Sequence, residues 1–301
     1  MHVSELPRAL WLVEPEWLAS HLHDPHVRIL DCTTVMTPQA VGASRISSGR
    51  PQYLAGHIPG AVHACMVDDF SDPQGDYPYT LPTAAQISAT LARLGVGAED
   101  HVVLYVAAQP MVATRVWWVL RAWGHQRVSI LNGGMPAWRA RGLPIETGAE
   151  ACAPSVFNAA LQVGWCVGAR AVEQAMSDPR GVVVNALSEA QFHGTGGAHY
   201  GRPGHIPGSI NIPAASMFEP ESMQWRSPEA LRLVFEQAGL GDTFQPVVTY
   251  CGGGIAASVV GFALRWCGWS EVQLYDNSLL EWSADPQRPM VCTLPAPGVR
   301  G

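Results

Sequence analysis

Charged residues are scarce in this sequence of 301 residues. They make up 14% of the chain, whereas about a quarter is usual. The 18 basic and 25 acidic side chains give a net charge of −7, and no run of five like charges occurs. Because a nucleic-acid partner would need a basic face, the composition argues against one. The apolar fraction of 48%, with eleven tryptophans, indicates large buried cores.

Long hydrophobic runs are also missing. The longest apolar stretch, Ile255 to Leu264, has ten residues, and a membrane-spanning helix needs about 20. Glu5 and Pro7 lie where a secretory signal would have a basic start and an apolar run. We therefore expect neither a membrane partner nor a cleaved signal.

Paired cysteines and metal-ligand spacings are absent from the sequence. The seven cysteines are odd in number and include no Cys-x-x-Cys pair, which favours reduced thiols in the cytoplasm over disulfides or a zinc site. The histidines show no ligand spacing, and the acidic stretch from Asp68 to Asp76 lacks the terminal glutamate of a calcium loop. The sequence therefore predicts no metal and no cofactor.

A six-residue motif occurs twice. Gly-His-Ile-Pro-Gly-Ala at 56–61 recurs as Gly-His-Ile-Pro-Gly-Ser at 204–209, and several further matches keep a separation near 145 residues. Solenoid repeats have periods of about 20 to 50 residues, so this period indicates duplication of a whole domain. We expect an N-terminal domain over 1–150 and a C-terminal domain over 151–301, with the linker within 144–166.

Both halves show the same order of elements. A buried strand leads into the shared turn, and a helix, an apolar strand, an apolar helix and a last strand follow. The first helix of each set is predicted over 84–94 and 228–238, with Thr83 and Ser227 as N-caps. Alternating strands and helices predict an α/β fold in which each domain is a parallel sheet flanked by helices.

The segment around Cys251 is the strongest candidate site. A buried strand over 247–250 runs directly into Cys251, the glycines 252–254 and an apolar helix. Glycines allow consecutive amides to turn toward one point, and a helix N-terminus adds partial positive charge, so a thiolate is stabilised there. Ligands bind at the carboxyl ends of strands in open α/β sheets. Cys251 is therefore the predicted nucleophile.

Several motifs together resemble those of one family. They are His-Ile-Pro-Gly in both halves, Cys-Gly-x-Gly at 251–254, Arg-Val-Trp-Trp at 115–118, Asn-Gly-Gly at 132–134 with Trp138, and Tyr-Asp-x-Ser-x-x-Glu-Trp at 275–282. With these motifs the chain resembles the two-domain rhodanese-like sulfurtransferases, which include thiosulfate and 3-mercaptopyruvate sulfurtransferases. The resemblance implies that the second domain is catalytic and the first inactive. Val106 indeed stands where Cys251 would be in the first half.

The resemblance also implies a chemical scheme. Cys251 takes sulfur from a small-molecule donor, holds it as a persulfide and passes it to a thiol or to cyanide. The remaining predicted site residues bind substrate or persulfide: Gly252, Gly253, Gly254, Ile255, Ala256, Ala257, His57, His199 and Arg202.

The loop after Cys251 differs from the loops of both thiosulfate-preferring and mercaptopyruvate-preferring members of the family. Gly252 and Gly253 replace the Arg-Lys pair of thiosulfate-preferring members, Gly253 also replaces the serine of mercaptopyruvate-preferring members, and Gln191 stands where the latter have an arginine. We expect neither donor to be used efficiently, with mercaptopyruvate ahead of thiosulfate. Gly253→Ser should raise mercaptopyruvate turnover, and Gly252→Arg paired with Gly253→Lys should raise thiosulfate turnover.

Two other functions are compatible with a cysteine in such a loop. One is a weakly active sulfur carrier or partner-binding module that has kept the fold. The other is a cysteine phosphatase, which needs an arginine about six residues after the cysteine; residue 257 is alanine, which argues against it. Asn185-Ala-Leu187 replaces an Asp-x-Arg that is more often structural than catalytic.

Overall fold

The computed structural model describes residues 5–292, and within them the chain forms two compact units. Unit 1 consists of residues 5–36, 46–165 and 218–226, and unit 2 of residues 37–45, 166–217 and 227–292. Each half of the sequence thus contributes one short segment to the unit built by the other half. None of the helices within 5–292 has the length and apolar character needed to cross a membrane.

Unit 1 is built on a five-stranded parallel sheet. Its strands are β1 Leu12–Val13, β2 Val27–Asp31, β5 Val62–His63, β6 His101–Tyr105 and β7 Val128–Leu131, in the order β1-β7-β6-β2-β5. Two further strands, β3 Thr34–Thr37 and β4 Arg45–Ser48, form a separate two-stranded sheet. The helices of unit 1 are α1 Pro15–Ser20, α2 Arg50–Ala55, α3 Met66–Asp69, α4 Ala84–Arg93, α5 Met111–Ala122 and α6 Gly134–Ala140, with a 3₁₀ turn at Arg8–Leu10.

Unit 2 repeats this plan. The strands are β8 Cys166–Val167, β9 Val182–Asn185, β10 Ile210–Asn211, β11 Val247–Tyr250 and β12 Val272–Tyr275. They form a parallel sheet with the order β10-β9-β11-β12-β8. The helices are α7 Ala169–Ser177, α8 Glu189–His193, α9 Pro228–Gln237, α10 Ile255–Cys267 and α11 Ser278–Trp282, with a 3₁₀ turn at Ala214–Met217.

The predicted α/β class is confirmed, and the two predicted helices α4 and α9 end one residue earlier than expected. Thr83 caps α4 by accepting a hydrogen bond from the amide of Gln86, whose side chain accepts one from the amide of Thr83 in return. Ser227 accepts a hydrogen bond from the amide of Ala230 at the start of α9. Such caps satisfy amides that the first helical turn leaves without partners.

Matching tryptophans pack in the two cores. Trp138 and Trp282 are both buried, and each indole N–H donates to a proline carbonyl a few residues later: Pro144 at 2.8 Å and Pro289 at 2.9 Å. Burial of so large a side chain stabilises a unit strongly, and the N–H needs such an acceptor once it leaves water. The scarcity of charge in the sequence thus reflects two separate apolar cores.

Candidate active site

Cys251 lies directly after strand β11, which occupies the centre of the unit 2 sheet. Cys251 is only 2% exposed to solvent. Helix α10 begins four residues later, after Gly254, which adopts a left-handed conformation with φ of 78°. The first amides of a helix have no intrahelical partner and carry partial positive charge, so the loop from Cys251 to Ala257 offers donors to an anion.

The loop is held from the other side by the start of helix α11. Cys251 donates its amide to Ser278 Oγ at 3.0 Å, while Leu279 and Leu280 donate theirs to the carbonyls of Cys251 and Gly252 at 3.1 and 2.9 Å. Ser278 Oγ in turn donates to the Tyr275 carbonyl at 2.8 Å. These bonds occupy two loop carbonyls, so the anion faces fewer repelling oxygens.

Ser278 is itself in an uncommon conformation. It is buried and has φ of 50°, a region that non-glycine residues rarely adopt. The two hydrogen bonds of its hydroxyl, to Cys251 and Tyr275, compensate for that strain. The sequence motif contained Ser278, but only the structure shows that it fixes the amide of the cysteine.

The ring of Tyr200 covers Gly252. A Cβ atom added to Gly252 would overlap the Cζ and Cε atoms of this ring, so the close approach requires glycine at that position. The Tyr200 carbonyl accepts a hydrogen bond from Ser283 Oγ, which holds the segment in place. The Gly252→Arg change considered above would therefore displace Tyr200 before it could supply a cation. No pattern in the sequence indicates that Tyr200 approaches Gly252.

The other predicted residues of unit 2 lie on the same segment as Tyr200. His199 pairs with Val41, and its Nδ1 donates to the Gly201 carbonyl at 2.9 Å. The guanidinium of Arg202 donates to carbonyls of the turn after α11, at 2.7 to 3.3 Å: Trp282, Ser283, Asp285 and Arg288. The structure thus shows Arg202 anchoring that turn, and donor binding by His199 or Arg202 stays a prediction.

Gln191 is engaged in a similar way. Its side-chain amide donates to the Ala198 carbonyl at 3.0 Å, and its oxygen accepts from Ser188 Oγ at 3.0 Å. It therefore braces the short loop that leads to Tyr200.

His57 is found in unit 1 and is fully buried. Its Nδ1 donates to the Tyr53 carbonyl at 2.9 Å, and the two rings stack with centroids 4.2 Å apart. The imidazole therefore fixes the turn of the repeated motif. Its predicted part in orienting a donor stays a prediction.

Asn185 ends strand β9 next to Tyr250, as Asp31 ends β2 next to Tyr105. Each side-chain oxygen accepts a hydrogen bond from the amide two residues later, at 2.8 Å in both units: Leu187 for Asn185, Thr33 for Asp31. The residue that replaces the family's aspartate thus forms the same turn.

Several other thiols are unsuited to nucleophilic attack. Burial raises the pKa of Cys32 and of Cys65, and it raises the pKa of Cys267 to about 12. These three thiols therefore stay protonated near neutral pH, and a protonated thiol is a poor nucleophile.

Burial also raises the pKa of the Tyr250 phenol, whose oxygen accepts a hydrogen bond from the Ile206 amide at 3.0 Å.

Known proteins are similar to this chain in sequence. The family described as Rhodanese-like domain matches residues 14–141 and 169–285. A human 3-mercaptopyruvate sulfurtransferase is 33% identical, over 90% of this chain and 91% of that protein. A 3-mercaptopyruvate sulfurtransferase of Escherichia coli (strain K12) is 31% identical, over 93% of this chain and 97% of its own length.

A solved structure extends the likeness to three dimensions. The crystal structure of SseA from Escherichia coli, described with the rhodanese fold and the mechanism of 3-mercaptopyruvate sulfotransferases, has a TM-score of 0.75 and 30% identity. The match covers 89% of this chain and 98% of SseA. The resemblance expected from the motifs is confirmed. The chain belongs to the rhodanese family and is a two-domain sulfurtransferase.

Proposed function

We propose that this sulfurtransferase uses Cys251 to move sulfur from 3-mercaptopyruvate to a thiol or to cyanide. The C-terminal domain, 151–301, carries the reaction, and the N-terminal domain, 1–150, is inactive. The observation that supports this most directly is the placement of Cys251 between a central strand and the N-terminus of α10, with its backbone fixed by Ser278 and Leu279.

The first step transfers one sulfur atom. The Cys251 thiolate attacks the sulfur of 3-mercaptopyruvate and forms an S–S bond. The C–S bond breaks, and its electron pair becomes the enolate of pyruvate. The proton that the donor thiol loses is balanced by the proton that the enolate carbon gains, so no external oxidant or reductant is needed. The product on the protein is a persulfide.

The second step returns the cysteine. An acceptor thiolate or cyanide attacks the outer sulfur, the S–S bond breaks, and the Cys251 thiolate leaves. Both the persulfide and the thiolate are anions, and the amides of residues 252–257 can donate to either state. Because the same amides donate to both states, the loop stabilises the free thiolate and the persulfide intermediate without having to rearrange.

Charge supports the ranking of donors. Thiosulfate is a dianion, and the loop from Cys251 to Ala257 contains no basic side chain. The carboxylate of mercaptopyruvate lies away from the sulfur and needs a donor only at the mouth of the site, where we propose His199 and Arg202. The relatives described above are themselves named for 3-mercaptopyruvate. Gly253→Ser should raise this activity, and Gly254 rather than Gly253 has the positive φ that would strain a side chain.

A weakly active sulfur carrier is the second candidate. The observation that favours it is the engagement of two side chains: Gln191, which replaces the arginine that the family uses for the donor carboxylate, is bound to Ala198, and Arg202 is bound to several carbonyls. If the carboxylate of a small donor is bound only weakly, a protein that carries a persulfide could load Cys251 instead. The carrier hypothesis predicts a stable persulfide with slow turnover of small donors.

We propose a cytosolic location for the same chemistry. None of the seven cysteines, all of which lie within residues 5–292, forms a disulfide, and Cys251 must be reduced to attack a donor. Cell fractionation with antibody detection would check the location, and recovery in an oxidising compartment would contradict it.

Intact mass spectrometry tests the function. The full chain is incubated with 3-mercaptopyruvate or, separately, with thiosulfate, and a gain of one sulfur atom is measured before and after cyanide is added. We expect mercaptopyruvate to load Cys251 faster and cyanide to unload it as thiocyanate. Cys267→Ser is the matched control, because it removes a buried thiol whose raised pKa keeps it unreactive.

The outcomes separate the hypotheses. Sulfur loading that persists in Cys251→Ser would overturn the assignment of the nucleophile. Faster loading by thiosulfate would overturn the donor ranking. Loading of Cys251 by neither small donor, combined with loading by a persulfidated protein, would favour the carrier. Iodoacetamide should also modify Cys251 before Cys267, and equal labelling rates would contradict an activated thiolate.

A further inference from the structure

A buried imidazole and two exposed carboxylates meet in unit 1, which lacks the catalytic cysteine. One ring nitrogen of His57 and carboxylate oxygens of Glu146 and Glu150 all lie within 4.8 Å of one another. His57 is fully buried, whereas both glutamates are exposed. The sulfur-transfer scheme uses neither glutamate, and its only predicted use of His57 is to orient a donor.

The imidazole is prepared to act as a ligand. A carbonyl oxygen can only accept, so the bond of 2.9 Å to Tyr53 places the proton of neutral His57 on Nδ1 and leaves a lone pair on Nε2. Nε2 is buried and has no hydrogen-bond partner among residues 5–292. Metal-binding histidines characteristically donate their other N–H to a carbonyl or carboxylate, which fixes the ring as it is fixed here.

The carboxylates are placed by backbone bonds to the same turn. Glu146 and His57 exchange two amide-to-carbonyl bonds of 2.9 Å. Glu146 Oε2 also accepts from the Gly60 amide at 3.2 Å, and its other oxygen has no partner among the described residues. The amide of Glu150 donates to the hydroxyl of Tyr53 at 2.9 Å. Tyr53 and His57 thus position both acids.

We propose that His57 Nε2, Glu146 and Glu150 bind a divalent ion of the zinc type in unit 1. One imidazole and two carboxylates suit zinc, whereas magnesium and calcium prefer oxygen ligands alone. Two negative charges balance those of the ion. Bond lengths of about 2.0 to 2.2 Å require the ligand atoms to approach to roughly 3.3 Å, and exposed glutamate side chains are free to rotate that far.

Unit 2 provides an internal contrast. His205 stacks on Phe192 and bonds to its carbonyl at 2.7 Å, as His57 does with Tyr53. The residue that exchanges backbone bonds with His205, however, is Val291, where His57 has Glu146. Phe192 also lacks the hydroxyl that holds Glu150. The repeated turn therefore carries an imidazole in both units but carboxylates in only one.

A metal at His57 would be contrary to the sequence prediction of no metal. His57 precedes Glu146 by 89 residues, so no local spacing connects the imidazole with the two acids. The antiparallel pairing of residue 57 with residue 146 brings Glu146 to the imidazole, and the bond from the Glu150 amide to Tyr53 brings Glu150.

Zinc titration of the full chain tests the proposal. The protein is stripped with a chelator, and zinc affinity is measured by competition with a chromophoric chelator for wild type, Glu146→Gln, Glu150→Gln and Glu99→Gln. We expect each of the first two variants to lose more than about tenfold in affinity, since removal of weaker outer contacts already costs that much. The side chain introduced by Glu146→Gln keeps an oxygen for the Gly60 amide, so folding should be retained. Glu99→Gln is the matched exposed control and should bind as wild type does.

A second measurement locates the ion, because cysteines also bind zinc. Crystals soaked in zinc should give an anomalous scattering peak beside His57 Nε2. Equal zinc affinity in all four proteins, or anomalous peaks only at thiols, would overturn the proposal and leave a buried water as the partner of Nε2. A zinc-dependent rise in melting temperature in wild type, lost in Glu150→Gln, is expected as well.

Discussion

The two units carry different residues on the same backbone path. After the central strand, unit 2 continues with Cys251 and three glycines, and unit 1 with Val106, two alanines, Gln109 and Pro110. Gln109 has φ of 59° and Gly254 has φ of 78°, so both loops turn at the matching residue. Pro110 then stands where Ile255 begins α10, and proline has no amide to donate. Unit 1 thus keeps the turn but lacks the thiol and one amide.

The contrast shows which features serve folding and which serve chemistry. Tyr105 and Tyr250 each accept a hydrogen bond from the isoleucine of the repeated turn, at 3.2 and 3.0 Å. Trp138 and Trp282 are buried alike in their cores. These pairs persist whether or not a site is present. Cys251 and the glycines after it, the proposed nucleophile and its row of amides, are a local addition at the carboxyl end of one strand.

Loss of the thiol should have the largest effect. Cys251→Ser is expected to lower sulfur transfer by at least about a thousandfold, because the covalent intermediate cannot form. Val106→Cys in the Cys251→Ser background should not restore transfer, since Pro110 removes one of the amides that would hold the persulfide. Steady-state thiocyanate formation measures both.

The melting temperature controls for folding in these variants. Cys251→Ser should melt as wild type does. Activity regained through Val106→Cys would show that the loop sequence of unit 1 is sufficient, and the contrast drawn between the two loops would then be wrong.

Much of this difference could be predicted from sequence. The repeated motif, the period near 145 and the apolar strands identified two α/β domains, and the glycines after Cys251 identified the loop. Such signals are local: a cap, a turn or an apolar run involves residues close together in the chain. The family resemblance added sulfur transfer, because the residues alone indicated only an activated thiol, and a carrier remained the alternative.

Contacts between distant segments could not be predicted. No local pattern places the ring of Tyr200 on Gly252, or Glu146 beside His57. The hydrogen bonds of the Arg202 guanidinium to carbonyls 81 and 83 residues later were not predicted either. A charged side chain identifies what it can bind but not which partner folding brings to it.

Filling the space above Gly252 should have the next largest effect. Gly252→Ala is expected to lower turnover by about 10- to 100-fold, because the methyl group and the Tyr200 ring cannot occupy the same volume and the loop must shift. Initial rates with 3-mercaptopyruvate measure the loss. Tyr200→Ala in the same chain should restore much of it by making room.

A glycine with open surroundings is the matched control. Gly241 is also in unit 2, and nothing lies within 4 Å of a Cβ placed there, so Gly241→Ala should leave turnover unchanged. A failure of Tyr200→Ala to relieve Gly252→Ala would indicate that the loop backbone, rather than the ring, requires glycine.

Acid should destabilise unit 1 more than unit 2. Burial lowers the pKa of both His101 and His125 in unit 1 to about 4, and it lowers the pKa of His205 in unit 2 less strongly. An unfolded histidine binds a proton below about pH 6.5. The unfolded chain therefore binds more protons, and the stability present above pH 6.5 is lost as the pH falls toward 4.

Hydrogen exchange separates the two units in the full chain. After correction for intrinsic rates, protection of β6 should fall between pH 7 and pH 5 by about tenfold or more per buried histidine, and protection of β11 by less. His125→Gln, whose amide can still donate to the Gly97 carbonyl that His125 contacts, should reduce the fall in β6. Equal losses in both strands would contradict the assignment to these histidines.

Replacement of Asn185, which ends strand β9, by aspartate should have the smallest effect. Asn185→Asp makes unit 2 resemble unit 1, where Asp31 already accepts the amide of Thr33. The new carboxylate keeps the Leu187 amide as a donor and has Asn211 Nδ2 at 3.4 Å from the retained oxygen, while the Asn185 Nδ2, which lies beside the Tyr250 phenol, is replaced by an acceptor. Gain and loss should nearly cancel, so stability in urea should change by no more than about 1 kcal/mol and turnover by no more than about threefold. A rise in turnover well beyond threefold would show that the acid takes part in the chemistry of the active unit, and the structural role inferred from the matched turns would have to be abandoned.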